Sequence, residues 1–511
     1  MVDRERGLDG RWMRVAQGAL AACVALSVTL TACATEPPGP VLGAALAPRE
    51  AQAPNATGAL VWPDRLAIDP GLSDEQLAIG RPAGAADSWR PRGTIVAMTP
   101  PIVFTRLSVK PSGKQAERIG ADRARLDEVL RARLGERAEG LSLAHEGAGQ
   151  FIARSAVLDE ARKAPSPKAG RANMLFEFVS LREVLAAETV PTAKADRGVE
   201  LQRHAQVTRT GFAFYDAALG WDDQGAVVGA IEPKGLVLLM PGMLGTPGDM
   251  VQETVKRLRT SGYAVLRMLA HPSRFTQTGQ VLVPTTGELE PAARTLAVEL
   301  TGRSAEAAYA VEAALANVYA QRPALKGLPH YALGMSGGAM ILPTVMARDP
   351  DRWAGAVSIG GGVNYLEILG TSNYTDMIRS LVVTWFEAPA ERTDGLAGED
   401  APLGRVGVPA PPGRERALWE AYLKAAPLDS QNLAPLLRDK RWLLVHARTD
   451  RAVPAATGER MWELLGRPER QVVDGGHEWL FLTLGRRIGP IVEWLDRGAG
   501  GLGQTPEPVK P

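Results

Sequence analysis

The sequence predicts an α/β protein: a doubly wound, mostly parallel sheet with helices on both faces, a lid insertion and an N-terminal extension. Three observations predict it. Continuous apolar runs alternate with amphipathic helical stretches, as strands and crossover helices do. One run, His330 to Leu333, leads directly into Gly334-Met335-Ser336-Gly337-Gly338. Two later runs, Arg441 to Ala447 and Arg470 to Val473, are followed by Asp450 and His477. Each crossover is right-handed by default.

The main domain is placed at residues 198–497. Val199 to Val207 and Phe212 to Ala218 are read as opening antiparallel strands. Leu236 to Met240 is a continuous apolar run, as a strand buried on both faces requires. Thr246 is placed to cap the next helix, with Pro247 at its first position. Val251, Val255 and Leu258 give that helix one apolar face, and Gly262 ends it. Tyr263 to Leu269 is the next strand, and Ala308, Val311, Leu315 and Val318 mark an Ala-rich helix. After the Gly-x-Ser-x-Gly turn come a helix from Gly338 to Arg348, with Pro343 inside it, and a strand from Trp353 to Ile359. Pro490 to Leu495 supplies a closing helix, and the Gly/Pro-rich residues 498–511 are predicted to be disordered.

Residues 365–435 interrupt this alternation. They hold Thr384-Trp385-Phe386, a Pro/Gly-rich loop from Ala388 to Gly413, and a helical stretch with Trp419, Tyr422 and Leu423. An insertion there lies over the C-terminal edge of a parallel sheet, where open α/β folds bind ligands. It is read as a lid, with a surface loop as the alternative.

Residues 61–197 are less legible. Gln115 to Arg137 is helical and charged, with a narrow apolar stripe of Ile119, Leu126, Leu130 and Leu134. Ile152 to Lys163 is a second helical stretch, and Met174 to Leu185 fits strand or helix. The region is an N-terminal extension packed on the main domain or a separate binding module; the sequence leaves both open.

Composition bounds the partners. The chain has 511 residues, 45% hydrophobic and 23% charged, with a formal net charge of +1. Without a clustered basic face it is not expected to bind nucleic acid. The two cysteines, Cys23 and Cys33, lie near the N-terminus, so the folded part has no disulfide framework. The histidines are scattered, with no His-x-x-x-His pair, and no metal site is expected.

Arg4, Arg6, Arg11 and Arg14 precede a mostly apolar stretch from Val15 to Leu30. That stretch is too short and too rich in Ala and Gly for a membrane span, which needs about 20 apolar residues. It ends in Leu30-Thr31-Ala32-Cys33, which resembles the bacterial lipobox. The resemblance implies that residues 1–33 are a lipoprotein signal ending at the lipidated Cys33, and that the chain is exported and held in the cell envelope by its lipid. Ala34 and Thr35, rather than Asp, follow the cysteine, which favours the outer membrane. A plain secretory signal is the alternative. Residues 34–60, rich in Pro and Ala, are read as a tether.

A serine hydroxyl is a poor nucleophile until a base stands within hydrogen-bond reach. Here Gly334 and Gly338 allow the sharp turn that lifts Ser336 above the sheet, and the following helix points its positive end at the site. His477 would take the Ser336 proton and return it to the leaving group, while Asp450 orients the imidazole. Glu367, after the strand Trp353 to Ile359, is the rival acid. Backbone N–H groups that stabilise an oxyanion are expected at Gly337 and in the loop Pro241-Gly242-Met243-Leu244-Gly245, at Met243 by position or at Leu244. Asp474 reads as a turn residue, and His330 and His446 as core residues. His271 fits the pocket wall or the surface, and His145 and His204 lie outside the site.

Taken together, residues 198–497 resemble the α/β-hydrolases. The order of Ser336, Asp450 and His477 matches that superfamily, Arg448-Thr449-Asp450-Arg451-Ala452-Val453-Pro454 resembles its acid loop, and Gly475-Gly476-His477 resembles its histidine loop. The chain departs from the family at Pro241-Gly242, where His-Gly is common. The resemblance implies a serine hydrolase that cleaves a carboxylic ester, small or lipid-like, through an acyl-enzyme and without a cofactor. Amide cleavage or acyl transfer on the same three residues is one alternative; a binding lipoprotein without turnover is the other. The oligomeric state is not legible.

Overall fold

The computed structural model describes residues 94–97, 113–145, 170–191, 197–222, 226–243, 246, 248–272, 275, 280–375, 381–387 and 407–499. Cys33, the tether, the helix expected over Ile152 to Lys163, Leu244, Pro247 and the tail after 499 lie outside the described residues.

In chain order, strand β1 (Thr94–Ala97) precedes helix α1 (Gly113–Leu134), β2 (Ser142–Ala144) and two long strands, β3 (Met174–Pro191) and β4 (Arg197–Tyr215). A small hairpin of β5 (Ala218–Trp221) and β6 (Val227–Ala230) leads into the alternating part. There β7 (Gly235–Met240), α2 (Gly248–Thr260), β8 (Tyr263–Met268), β9 (Gln280–Pro284) and α3 (Glu290–Gln321) follow one another. Next come β10 (His330–Met335), α4 (Gly337–Arg348), β11 (Trp353–Ile359), α5 (Tyr365–Thr371) and β12 (Val382–Phe386). The chain continues through α6 (Arg414–Ala425), α7 (Ser430–Leu433), β13 (Arg441–Ala447), α8 (Ala455–Leu464), β14 (Glu469–Val473), α9 (His477–Leu482) and α10 (Leu484–Ala499).

The main sheet runs β1-β3-β4-β8-β7-β10-β11-β13-β14, with β2 beside β4. From β8 to β14 every pairing is parallel, whereas β4 is antiparallel to both β8 and β3. A parallel sheet needs cover on both faces, and the side-chain alternation supplies a core for each. Leu236, Leu238 and Met240 of β7 join Ala332 of β10 in a core closed by α3 and α4. Val237 and Leu239 join Tyr331, Leu333 and Met335 in the opposite core, closed by α2 and α10. The expected face of α2 is the one buried: Val251, Val255 and Leu258 all lie in that second core.

Helix α3 has 32 residues and is buried nearly throughout, from Ala292 to Tyr319. Its alanines let neighbours approach from several sides, so no single apolar stripe is needed. Charged residues inside it are paired: Arg303 Nε meets Glu299 at 3.0 Å, and Arg348 of α4 meets Glu312 at 2.9 Å.

The N-terminal part joins the same sheet. β3 pairs with β4 from Met174↔Phe214 to Pro191↔Arg197. Met174 to Leu185, open between helix and strand in the sequence, is therefore strand, and the residue 197/198 boundary falls at the start of the hairpin's second arm. β4 is one strand where two were expected, Val199 to Val207 and Phe212 to Ala218, and it runs through the polar Thr208-Arg209-Thr210 between them. The structure buries all three, with Arg209 only 1% exposed. Its guanidinium is neutralised by Glu177 at 2.7 Å and by Asp122 of α1. A buried cation tolerates this only because both partners are in place. The α1 stripe of Leu126, Leu130 and Leu134 packs on Val179, Leu181 and Val207, each leucine contributing about 2 kcal/mol.

In the 365–435 region, β12 pairs with β9 in a separate two-stranded parallel sheet, and α6 packs on α3.

Candidate active site

The three residues singled out in the sequence meet at the C-terminal edge of the sheet. Ser336 occupies the turn between β10 and α4 with φ 50° and ψ −117°, a region costly for a residue with a side chain. What holds it there is the packing around the turn. Ser336 N–H continues the ladder to Ile359 O at 2.8 Å. A side-chain carbon at Gly338 would meet Pro241 O at 2.5 Å, and one at Gly334 would meet the Gly338 carbonyl at 2.7 Å. Only glycine admits both approaches. Helix α4 then runs unbroken through Pro343.

Asp450 and His477 are brought together by extending the β13–β14 pairing past the strand ends. Arg448 N–H donates to Val473 O at 2.8 Å and Thr449 N–H to Gly475 O at 3.0 Å. Arg448 and Asp474 add an exposed ion pair at 2.8 Å across the two loops. His477 is the first residue of α9.

Asp450 and His477 are 7% and 5% exposed. His477 Nδ1 lies 2.7 Å from Asp450 Oδ2, and Nε2 lies 2.8 Å from Ser336 Oγ. A carboxylate only accepts, so Nδ1 carries the proton and Nε2 accepts from the Ser336 hydroxyl. The other oxygen, Asp450 Oδ1, accepts Ala452 N–H at 3.0 Å and Val453 N–H at 2.9 Å, which fixes the carboxylate plane. Two rings meet His477 edge-on: Phe481 at 5.0 Å and Tyr374 at 6.1 Å. Tyr374 Oη donates to Glu478 at 2.5 Å.

Of the two candidate N–H groups, Gly337 begins α4 directly after the serine, and Met243 faces it. A side-chain carbon at Gly337 would lie 2.9 Å from Met243 N. Among the described residues neither N–H has a hydrogen-bond partner. The loop is closed by Thr246, whose hydroxyl accepts Gly242 N–H at 3.1 Å and reaches Met335 Sδ at 3.6 Å.

The remaining candidates lie elsewhere. Glu367 is held by Arg460 at 2.5 Å and by Asn364 at 3.1 Å, on α5. His330 bonds Tyr319 Oη and Leu328 O, both at 2.7 Å, in the core. His145 pairs with Asp127 at 2.5 Å. His446 is buried in β13. His271 is neither surface nor open wall: it is buried behind the Met243 loop. Among the described residues no group of three His, Cys, Asp or Glu side chains could hold a metal ion. Two neighbours of the site went unnoticed in the sequence. Phe481 was within reach, four residues after His477 on one helix face; Tyr374 carried no local signal.

No family model matches the chain, and no curated protein does. Among solved structures it is similar to Est1E from Butyrivibrio proteoclasticus, at 12% identity and TM-score 0.33 over 62% of this chain and 100% of that one. It is also similar to the esterase Pf2001 of Pyrococcus furiosus, at 12% identity and TM-score 0.35 over 66% of this chain and 97% of that one. A third is the acylaminoacyl peptidase of Pyrococcus horikoshii, at 11% identity and TM-score 0.34, covering 65% of this chain and 43% of the peptidase. The mostly parallel sheet, helices on both faces, a serine on a strand-to-helix turn, and acid and histidine at later strand ends make this chain an α/β-hydrolase fold.

Proposed function

We propose that the protein is a serine hydrolase that cleaves a carboxylic ester through an acyl-enzyme. The observation that carries this reading is the continuous relay from Asp450 through His477 to Ser336, with hydrogen bonds of 2.7 and 2.8 Å. In the proposed reaction Ser336 Oγ attacks the ester carbonyl as His477 Nε2 takes its proton. The carbonyl oxygen gains negative charge between Met243 N–H and Gly337 N–H. The tetrahedral adduct collapses, the C–O bond to the alcohol breaks, and His477 protonates the leaving alkoxide. Water then attacks the acyl-enzyme with His477 as base, releasing the carboxylic acid and restoring the serine. Asp450 stays ionised and stabilises the imidazolium.

Labelling with a fluorophosphonate tests the nucleophile. The wild type should label and Ser336→Ala should not. Equal labelling of both would remove Ser336 from the reaction, and failure of both would favour a binding protein without turnover. An ester panel of graded chain length, run beside matched amides, tests the substrate class. The proposed residence is the bacterial cell envelope, with the lipid on Cys33. Mass spectrometry of the mature N-terminus should find that cysteine acylated.

A further inference from the structure

Behind the loop that carries Met243, one carbonyl takes two hydrogen bonds. Pro241 O accepts Gly338 N–H at 3.0 Å and His271 Nε2 at 2.8 Å. Since a carbonyl only accepts, Nε2 carries the ring proton. His271 Nδ1 is buried and has no partner among the described residues. The ring is 6% exposed and stacks on Phe275, with centroids 4.7 Å apart. Phe275 is itself fixed. Its N–H donates to Pro272 O at 2.7 Å, and its carbonyl accepts Arg303 Nη1 of α3 at 3.2 Å. Burial pushes the His271 pKa down to about 4, so at neutral pH the ring holds a single proton.

We propose that His271 is a positioning residue: through Pro241 O it fixes the Met243 loop against Gly337 and Gly338, and so sets the spacing of the two N–H groups that face the developing oxyanion. The proposal rests on Ser336 being the nucleophile. The physical argument is one of rigidity. A carbonyl held by Gly338 N–H alone can pivot about that bond; a second donor, anchored through Phe275 to α3, fixes its orientation. Met243 follows two residues later, so its N–H direction follows the Pro241 peptide. Charge appears on the substrate oxygen chiefly in the transition state, so a loosened loop should lower kcat more than it raises KM.

The test uses two variants of the full protein. His271→Phe keeps the ring and its stacking but removes the donor. His271→Gln places an amide N–H near the Nε2 position. With a p-nitrophenyl ester, His271→Phe is expected to lower kcat by about 10- to 100-fold, the range a displacement of about 1 Å produces, with KM changed less than about 3-fold. Binding of an aryl trifluoromethyl ketone, which forms an oxyanion adduct with the serine, should weaken by the same factor. His271→Gln should recover most of both. Wild-type kcat in His271→Phe, or a loss that His271→Gln does not restore, would overturn the proposal. A readout independent of turnover is the ring tautomer. Nitrogen-15 spectra of histidine-labelled protein should show an Nε2–H ring that disappears in His271→Gln; an Nδ1–H ring there would overturn the proposal outright. If the wild type neither labels with fluorophosphonate nor turns over ester, the nucleophile reading fails and this one falls with it. If the wild type does both and His271→Phe matches it, this one alone fails.

Discussion

His477 Nε2 stands 2.8 Å from Ser336 Oγ although 141 residues separate them in the chain. The contact exists because β10 is central in the sheet and β14 is its edge, with only β11 and β13 between them. Side chains at the C-terminal ends of parallel strands project to the same rim, so distance along the chain becomes proximity there.

Residues that act as one relay should fail as one. Ser336→Ala and His477→Ala are each expected to lower kcat by roughly 10⁴-fold or more, and the double variant should lose little beyond either single. Asp450→Asn should cost roughly 10⁴-fold, because the tautomer of His477 is no longer enforced. Steady-state kinetics on an ester decide it. A double variant whose loss is the product of the single losses would mean Ser336 and His477 do not work together.

Close backbone approach at the serine turn gives a second expectation. Gly338→Ala would force a side-chain carbon to 2.5 Å from Pro241 O and 2.8 Å from Met240 O, and neither backbone atom can swing away. Stability should fall by about 2 kcal/mol, with activity falling alongside. Gly120, exposed on α1 with nothing near its missing side chain, is the control. Gly120→Ala should stabilise by about 0.5–1 kcal/mol through helix propensity. Denaturant midpoints that move the same way in both variants would contradict this account.

Asp429 is fully buried and serves four donors. It accepts Asn364 N–H at 3.2 Å, Tyr365 N–H at 2.9 Å, Gln431 N–H at 2.8 Å and Tyr422 Oη at 2.8 Å. It thereby ties the start of α5 to α6 and α7. Burial, opposed by these bonds, raises its pKa. Asp429→Ala leaves the donors unpaired and should destabilise by about 3 kcal/mol or more. Asp429→Asn keeps one acceptor oxygen and should cost less. A urea titration that finds Asp429→Ala as stable as the wild type would exclude the clamp.

One share of the acid sensitivity should be traceable to His446. His446 is buried, its Nε2 has no partner among the described residues, and burial with the nearby Arg470 cation lowers its pKa to about 4, against Glu459 and Asp450. The unfolded chain binds a proton near pH 6.5 and the folded one only near pH 4, so stability present above 6.5 is lost as pH falls toward 4. His271 and His330, also lowered to about 4, act in the same direction. Glu312, raised to about 7 by burial, acts in the opposite one. His446→Phe removes a single contribution. Its stability relative to wild type should rise between pH 6.5 and 4 by up to about 3 kcal/mol. Parallel pH curves for variant and wild type would rule this out.

Much of the parallel half of the sheet is readable locally. Leu236 to Met240 is strand because an all-apolar run suits a position covered on both faces, and the Val251, Val255 and Leu258 spacing gives a helix its buried side. The antiparallel half is readable only in part: its strands are placed, but not their continuity. Arg209 looks like a strand break until Glu177 and Asp122, 32 and 87 residues away, supply its counter-charges. Such compensation has no signature in a local window.

The site divides in the same way. Residue order and spacing along the chain are enough to single out Ser336, Asp450 and His477, because a nucleophile turn and two later strand ends are local patterns that share one rim in a parallel sheet. The sequence favours Asp450 and leaves Glu367 as its rival; tertiary structure turns Glu367 to Arg460 and Asp450 to His477. It also decides that His271 is buried against Pro241 O, with nothing in its neighbouring residues to show it. Hydropathy periods report which face of an element avoids water, whereas the partner of a buried charge or imidazole depends on how separate elements pack.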